Sequence, residues 1–260
     1  MTRLGSGLSF IPAWMLLLVL ALPVVGLAFA TSPSDLLHAL SLASTRSALW
    51  LSMGTTTLAL VLIVVLGTPL AWRLSRKGKN PSRWVMLVVE LPVVLPPTVL
   101  GIALLETFGR QGLLGPGLVA LGLSVPFTTT AVILAQVMVG APLYVLTATA
   151  GFRGVDDDLV LVARTLGASP LRAFLSVAIP AAGGSLVSGA GLAWARALGE
   201  FGATLMFAGN LPGKTQTLTL AVFQALEQDL SQARAIALIL VAVAVLLLLL
   251  LRMVGPRSQS

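Results

Sequence analysis

The stretch "LILVAVAVLLLLLL" at 238–251 contains no polar side chain and no proline or glycine. A bilayer's hydrocarbon core is about 30 Å thick, so a helix rising 1.5 Å per residue crosses it in roughly 20 residues. A barrel strand would alternate polar and apolar side chains along its length. No such alternation occurs here, so this stretch reads as the core of a membrane-spanning α-helix. Working outward, comparable apolar runs lie near 11–30, 49–72, 84–105, 127–150, 186–208 and 233–251. The expected fold is an all-α integral membrane protein with six transmembrane helices. Composition agrees: 57% hydrophobic and 10% charged residues with mean hydropathy +1.00 leave too little polar surface for a water-soluble globule.

Basic residues set the orientation, because cytoplasmic loops carry the excess of Lys and Arg. With the N-terminus inside, the inner segments hold Arg3, Arg73, Arg76, Lys77, Lys79, Arg83, Arg153, Arg164, Arg172, Arg252 and Arg257. The outer ones hold Arg46, Arg110, Lys214 and Arg234, and Arg196 lies within a span. Both termini are therefore expected in the cytoplasm. The net charge of +7 is a consequence of topology, scattered over loops, and gives no nucleic-acid surface. Arg3 and the following apolar run resemble a signal peptide, but the run is longer than such a segment needs and reads as a retained span.

Several chemistries are excluded. There is no cysteine, the only histidine is His38 in an outer loop, and no cluster has metal-ligand spacing. "GNLPGKT" at 209–215 has three residues between Gly209 and Gly213, where a phosphate-binding loop needs four, and it follows a membrane helix instead of a strand. Neither a nucleophile nor a metal centre stands out, so an enzyme is not expected, nor a bound cofactor.

Irregular stretches carry the functional signal. "ELPVVLPPTVLG" at 90–101 places Pro92, Pro96 and Pro97 at membrane depth, where the helix must kink or break. That pattern suits a packing kink or a helix lining a pathway equally. The segment 151–180 is too polar to span and reads as two short helices around a glycine elbow. Asp156, Asp157 and Asp158 suit a helix N-terminus, Leu159, Val162, Ala163 and Leu166 share one face, Gly167 suits a left-handed stop, and Ser169 with Pro170 suits a new start. An amphipathic hairpin of this kind either lies on the bilayer or meets a partner protein. Arg196 and Glu200 stand four residues apart in the fifth span, close enough to pair. Such a pair either holds helices together or marks an ion pathway.

"ARTLGASPLRAFLSVAIP" at 163–180 resembles the signature loop of bacterial ABC importer permeases. "LPVVLPPTVLGIALLETFGRQGLLG" at 91–115 and "ARALGEFGATLMFAGNLPGKTQT" at 195–217 are similar to the third span, and to the fifth span with its outer loop, of the molybdate branch; sulfate permeases are close relatives. One departure is visible, since the family's usual Glu, two residues before the Ala aligned with Ala163, falls on Leu161, and the following Ala falls on Val162. The resemblance implies a single transmembrane permease domain over 1–260 in the cell membrane, working as a homodimer. It implies an external oxyanion-binding protein and a cytoplasmic ATPase subunit that alone binds ATP. The ATPase would dock on 151–180, through Ala163, Arg164, Leu166, Gly167, Ala168, Ser169, Pro170 and Phe174. The anion's path or gate is expected at Pro96, Pro97, Arg196, Glu200, Thr204, Gly209 and Asn210. A passive channel has no use for such a hairpin, and a secondary carrier would show coupling residues or inverted repeats, which are not evident.

Overall fold

The computed structural model describes residues 5–76 and 83–254. Among the basic residues used for orientation, Arg3, Lys77, Lys79 and Arg257 lie outside them. Helix α1 (Gly5–Ala30) is followed by a short α2 (Pro33–Ser41), the long α3 (Ala43–Ser75), and the pair α4 (Arg83–Val94) and α5 (Pro97–Phe108). A short α6 (Gly115–Ala120) leads to α7 (Thr129–Arg153), then α8 (Asp157–Thr165) and α9 (Pro170–Ala173). A π-helical turn at Phe174–Ala178 runs into α10 (Ile179–Ala181), and α11 (Gly183–Leu198), α12 (Gly202–Ala208), α13 (Leu218–Leu226) and α14 (Leu230–Val254) complete the chain. No strand occurs among the described residues.

Four helices are long and apolar enough to cross a membrane unbroken, in α1, α3, α7 and α14. Two further helix pairs are long and apolar enough only when taken together, each sharply bent, which gives six if each pair is one span. The α4–α5 pair turns by 119° at Leu95 and Pro96, far more than a packing kink. Pro97 cannot donate an N–H and Pro96 pushes Leu95 away from helical dihedrals, so α4 ends and a new helix begins with prolines at its first positions. The expected fifth span, 186–208, is not one helix. It divides into α11 and α12 at Gly199, Glu200 and Phe201, and α11 itself bends by 76° from the helix before it. The helices α2, α6 and α13 were not anticipated, because each is shorter than a span and packs on the surface of longer ones.

Helix α7 is the hub, flanked by α3 and α11. Its buried face is built from Ala131, Ala135, Gly140 and Ala148. In lipid there is little hydrophobic force between helices, so close backbone approach does the work. A Cβ at Gly140 would sit 2.9 Å from the Ile63 side chain and 3.0 Å from the Ala193 carbonyl oxygen, so only glycine permits this three-helix contact. Tyr144 is fully buried there, with its hydroxyl 2.6 Å from that of Thr68. At the start of α14, the Asp229 carboxylate accepts the Ser231 N–H at 2.9 Å and the Ser231 hydroxyl at 2.5 Å, which together hold its pKa below the usual carboxylate value.

Candidate functional site

The break between α11 and α12 is organised by one carboxylate. Glu200 is 1% exposed, whereas the Arg196 side chain beside it is 35% exposed. Oε2 of Glu200 accepts from Arg196 Nη1 at 2.7 Å, and Oε1 accepts the Ala203 N–H at 2.8 Å. Ala203 lies in the first turn of α12, where free N–H groups and the helix dipole both favour a negative charge. The backbone oxygen of Glu200 accepts the Thr219 hydroxyl at 2.8 Å, which ties the break to α13. Every acceptor that Glu200 offers to this break is thus engaged in structure. Arg196 retains donors beyond the one given to Glu200, and its partial exposure lets them reach solvent or solute.

Pro96 and Pro97 come into the same neighbourhood, because α5 and α12 pack closely. A Cβ at Gly101 would fall 2.7 Å from Met206 Cβ and 2.8 Å from the Ala203 carbonyl oxygen, and one at Gly202 only 3.1 Å from Pro97 Cβ. Thr204, fully buried on α12, has a hydroxyl with no hydrogen-bond partner among the described residues. Gly209 and Asn210 belong elsewhere, at the far end of α12. Gly209 adopts φ +70° against the ring of Phe127, itself at φ 59° with its N–H donated to the Phe207 carbonyl at 3.2 Å. Asn210 turns its amide toward α13: its Oδ1 accepts from Gln216 Nε2 at 3.0 Å, and that same nitrogen donates to Gln224 Oε1. "GNLPGKT" closes on itself, with the N–H groups of Lys214, Thr215 and Gln216 all directed at the Leu211 carbonyl, so it makes no phosphate cradle.

The hairpin at 151–180 forms by local capping. Asp156 accepts the Asp158 N–H at 3.0 Å, Gly167 stops α8 at φ +89°, and Ser169 accepts the Arg172 N–H at 3.2 Å to start α9. Arg164, Leu166, Gly167, Ser169 and Pro170 are exposed, while Ala163 and Ala168 are half-buried. Leu166 is 82% exposed and Leu171 65%, so among the described residues these apolar side chains of the hairpin are left largely uncovered. Phe174 points the other way, into the body. Its ring centroid lies 5.2 Å from that of Trp72 and 6.0 Å from that of Phe152. The Arg76 guanidinium stacks 3.5 Å above the Trp72 ring and pairs with Asp157, joining α8 to the end of α3. Sequence reasoning gave no site role to Thr219, Trp72 or buried Gln136, and used Arg76 only for orientation; a glutamine in the apolar run of α7 was a visible signal.

Residues 63–259 match the family model described as "Binding-protein-dependent transport system inner membrane component". The chain is 41% identical over 227 residues to the molybdenum transport system permease protein ModB of Mycobacterium tuberculosis, covering 87% of this chain and 86% of that protein. It is 39% identical over 218 residues to the probable transport system permease protein NifC of Clostridium pasteurianum, covering 84% and 76%. A solved bacterial ABC transporter for import of the acidic polysaccharide alginate superposes with TM-score 0.74 over 97% of this chain and 95% of its own, at 14% identity, which is a likeness of fold.

Proposed function

This chain belongs to the binding-protein-dependent transport system inner membrane components, and from that premise we propose that it is the permease subunit of an ATP-driven molybdate importer. The observation that carries the reading is identity of 41% to a molybdenum permease across almost the whole chain, which includes the α11–α12 break and the hairpin. The chain is a conduit and not an enzyme. ATP is bound and hydrolysed by a separate cytoplasmic subunit, and an external binding protein delivers the anion. Two copies of the permease assemble in the cell's inner membrane, with both termini in the cytoplasm.

The geometry supports a division of labour. The uncovered apolar face of α8 and α9 is the kind of surface a partner subunit covers, and capped, short helices hold it in one shape without help from lipid. The inward cluster of Trp72, Phe152 and Phe174, with Arg76 over it, links that surface to α3 and α7. At membrane depth, the half-exposed Arg196 offers a cation whose charge is already partly met by Glu200. An anion meeting it is attracted without being trapped, as passage requires. Reconstitution with the ATPase and the binding protein in sealed vesicles tests the reading. ATP-dependent uptake of molybdate, undiminished by equal sulfate, is expected; tungstate, of like size and charge, should compete. Uptake of sulfate that excess molybdate leaves untouched would refute the assignment.

A further inference from the structure

Two deeply buried polar groups in the bundle lack a partner. Gln136, on α7, is 1% exposed, and its Oε1 makes no hydrogen bond among the described residues. Thr204, on α12, is 0% exposed, and its hydroxyl is equally unpaired. A buried polar group left unmatched carries its full desolvation cost, so each such group calls for a reason. We propose that Gln136 and Thr204 are the two halves of a conformational latch: a hydrogen bond open in this arrangement of the bundle and closed in a second arrangement visited during transport. The inference rests on the importer reading, because an ATP-driven permease passes through at least two arrangements, and it assigns a role to a glutamine that lies apart from the Arg196 and Glu200 pair.

Glycine contacts fix where Gln136 sits. A Cβ at Gly189 would meet Thr147, and one at Gly140 would meet the Ala193 carbonyl oxygen, so α7 and α11 run antiparallel. A Cβ at Gly67 would meet Tyr144, and one at Gly140 would meet Ile63, so α3 runs parallel to α7. Continuing both registers by one turn sets Gln136 at the level of Ala59 and Ala197, each 0% exposed, just before α11 ends at Leu198. Around α7, at 100° per residue, Gln136 stands between Val132 and Gly140; around α12, Thr204 stands between Phe207 and Ala208. Val132, Phe207 and Ala208 belong to one buried cluster, so both orphan groups border the same contact between α7 and α12. The end of α12 meets the start of α7, where Gly209 lies against the Phe127 ring, so these two helices also run antiparallel. Helical side chains lean toward their own N-terminus, and in an antiparallel pair the Gln136 amide and the Thr204 hydroxyl therefore lean toward each other.

The chemistry and the joints suit a bond that opens and closes. A threonine hydroxyl both donates and accepts, so it can meet either end of the amide. The unpaired atoms are out of reach of solvent, and a bond formed there has no water competing for it. Helix α12 is only seven residues long, bounded by the break at Gly199, Glu200 and Phe201 and by Gly209 at φ +70°. It is packed on α5, which itself begins at the sharp bend after α4. The two short helices thus form a slab with a break at the start of each, leaning on α7. Packed helices slide by about 1–2 Å in switching transitions, the scale on which a hydrogen bond is made or lost.

Thr204→Val and Gln136→Met remove the hydroxyl and the amide with little change of shape, and Thr204→Ser keeps the hydroxyl. One net hydrogen bond corresponds to about a fivefold change in an equilibrium. In vesicles holding the permease–ATPase complex, each of the first two substitutions should slow molybdate uptake about fivefold, their combination should slow it no further, and Thr204→Ser should transport as wild type. Melting temperatures should stay at or above wild type, because neither group is bonded in this arrangement. A thiol placed by Ala208→Cys, at a position 0% exposed in a chain with no native cysteine, reacts only when the α7–α12 contact rearranges. In purified permease its alkylation should slow about fivefold with either substitution and no further with both. Unchanged alkylation in both variants would overturn the latch, as would multiplicative losses of about 25-fold, a Thr204→Ser protein as slow as Thr204→Val, or a fall in melting temperature beyond about 3 °C, which would mean the group is already bonded. Wild-type vesicles that accumulate no molybdate would refute the importer reading instead, while the alkylation rates still decide the latch.

Discussion

Removing either member of the Arg196 and Glu200 pair should be destabilising, and the two removals should differ. Arg196→Ala strands a carboxylate that is 1% exposed and retains only the Ala203 N–H as a compensating donor. Breaking a buried pair from one side costs about 3–5 kcal/mol, and the surviving N–H bond places this case near 3. Glu200→Ala removes the cap of α12, worth about 1 kcal/mol, and leaves an arginine that is 35% exposed and can turn toward water, for about 2 in all. The double variant loses the cap but strands no charge, so it should cost about 1 kcal/mol instead of the additive ~5. At about 2–4 °C per kcal/mol, the purified permease in detergent should melt about 6–12 °C lower with Arg196→Ala and about 2–4 °C lower with the double change. Melting followed by tryptophan fluorescence gives all four corners of the cycle. An additive double variant, or an Arg196→Ala protein melting within 1 °C of wild type, would refute the claim that the charges are coupled at this break.

Gly167→Val forces a β-branched residue to φ +89°, where a side chain costs about 1–2 kcal/mol, and should cut ATPase association and substrate-stimulated hydrolysis about tenfold; wild-type copurification would count against the hairpin as the docking element. Arg76→Ala removes a stacked cation and an exposed ion pair, so it should lower stability by only about 1 kcal/mol while raising the ATP consumed per molybdate transported; an unchanged ratio would exclude a coupling role. A cysteine replacing Ser169 should react with an impermeant reagent only from the cytoplasmic side, and one replacing Lys214 only from outside, so that the reverse pattern would invert the proposed orientation.

Features that depend on a few neighbouring residues were legible in the sequence. Apolar runs mark α1, α3, α7 and α14 because length and hydropathy alone decide whether a helix can cross lipid. The ends of α8 and α9 are equally local, being written in Asp156, Gly167 and Ser169. The division of the fifth apolar run was not legible. It depends on Thr219 reaching back to the Glu200 carbonyl and on α5 packing against α12, contacts between residues distant in the chain. Arg196 and Glu200 were identifiable from their spacing, but the deep burial of one and partial exposure of the other follow from what packs around them. Phe174 shows the same limit: its position in the hairpin motif says nothing about facing Trp72, and only the π turn beside it and the ends of α3 and α7 decide that.

The π turn at Phe174–Ala178 has a bearing on how the hairpin's direction is encoded. Relative to an α-helix such a turn carries one surplus residue, and each residue of an α-helix advances the azimuth by about 100°. Deleting a single residue there and letting the turn revert to α geometry would change the phase between α9 and α11 without altering the composition of either. The direction of the hairpin's exposed apolar side chains is therefore set by an indel-sensitive phase at one short joint.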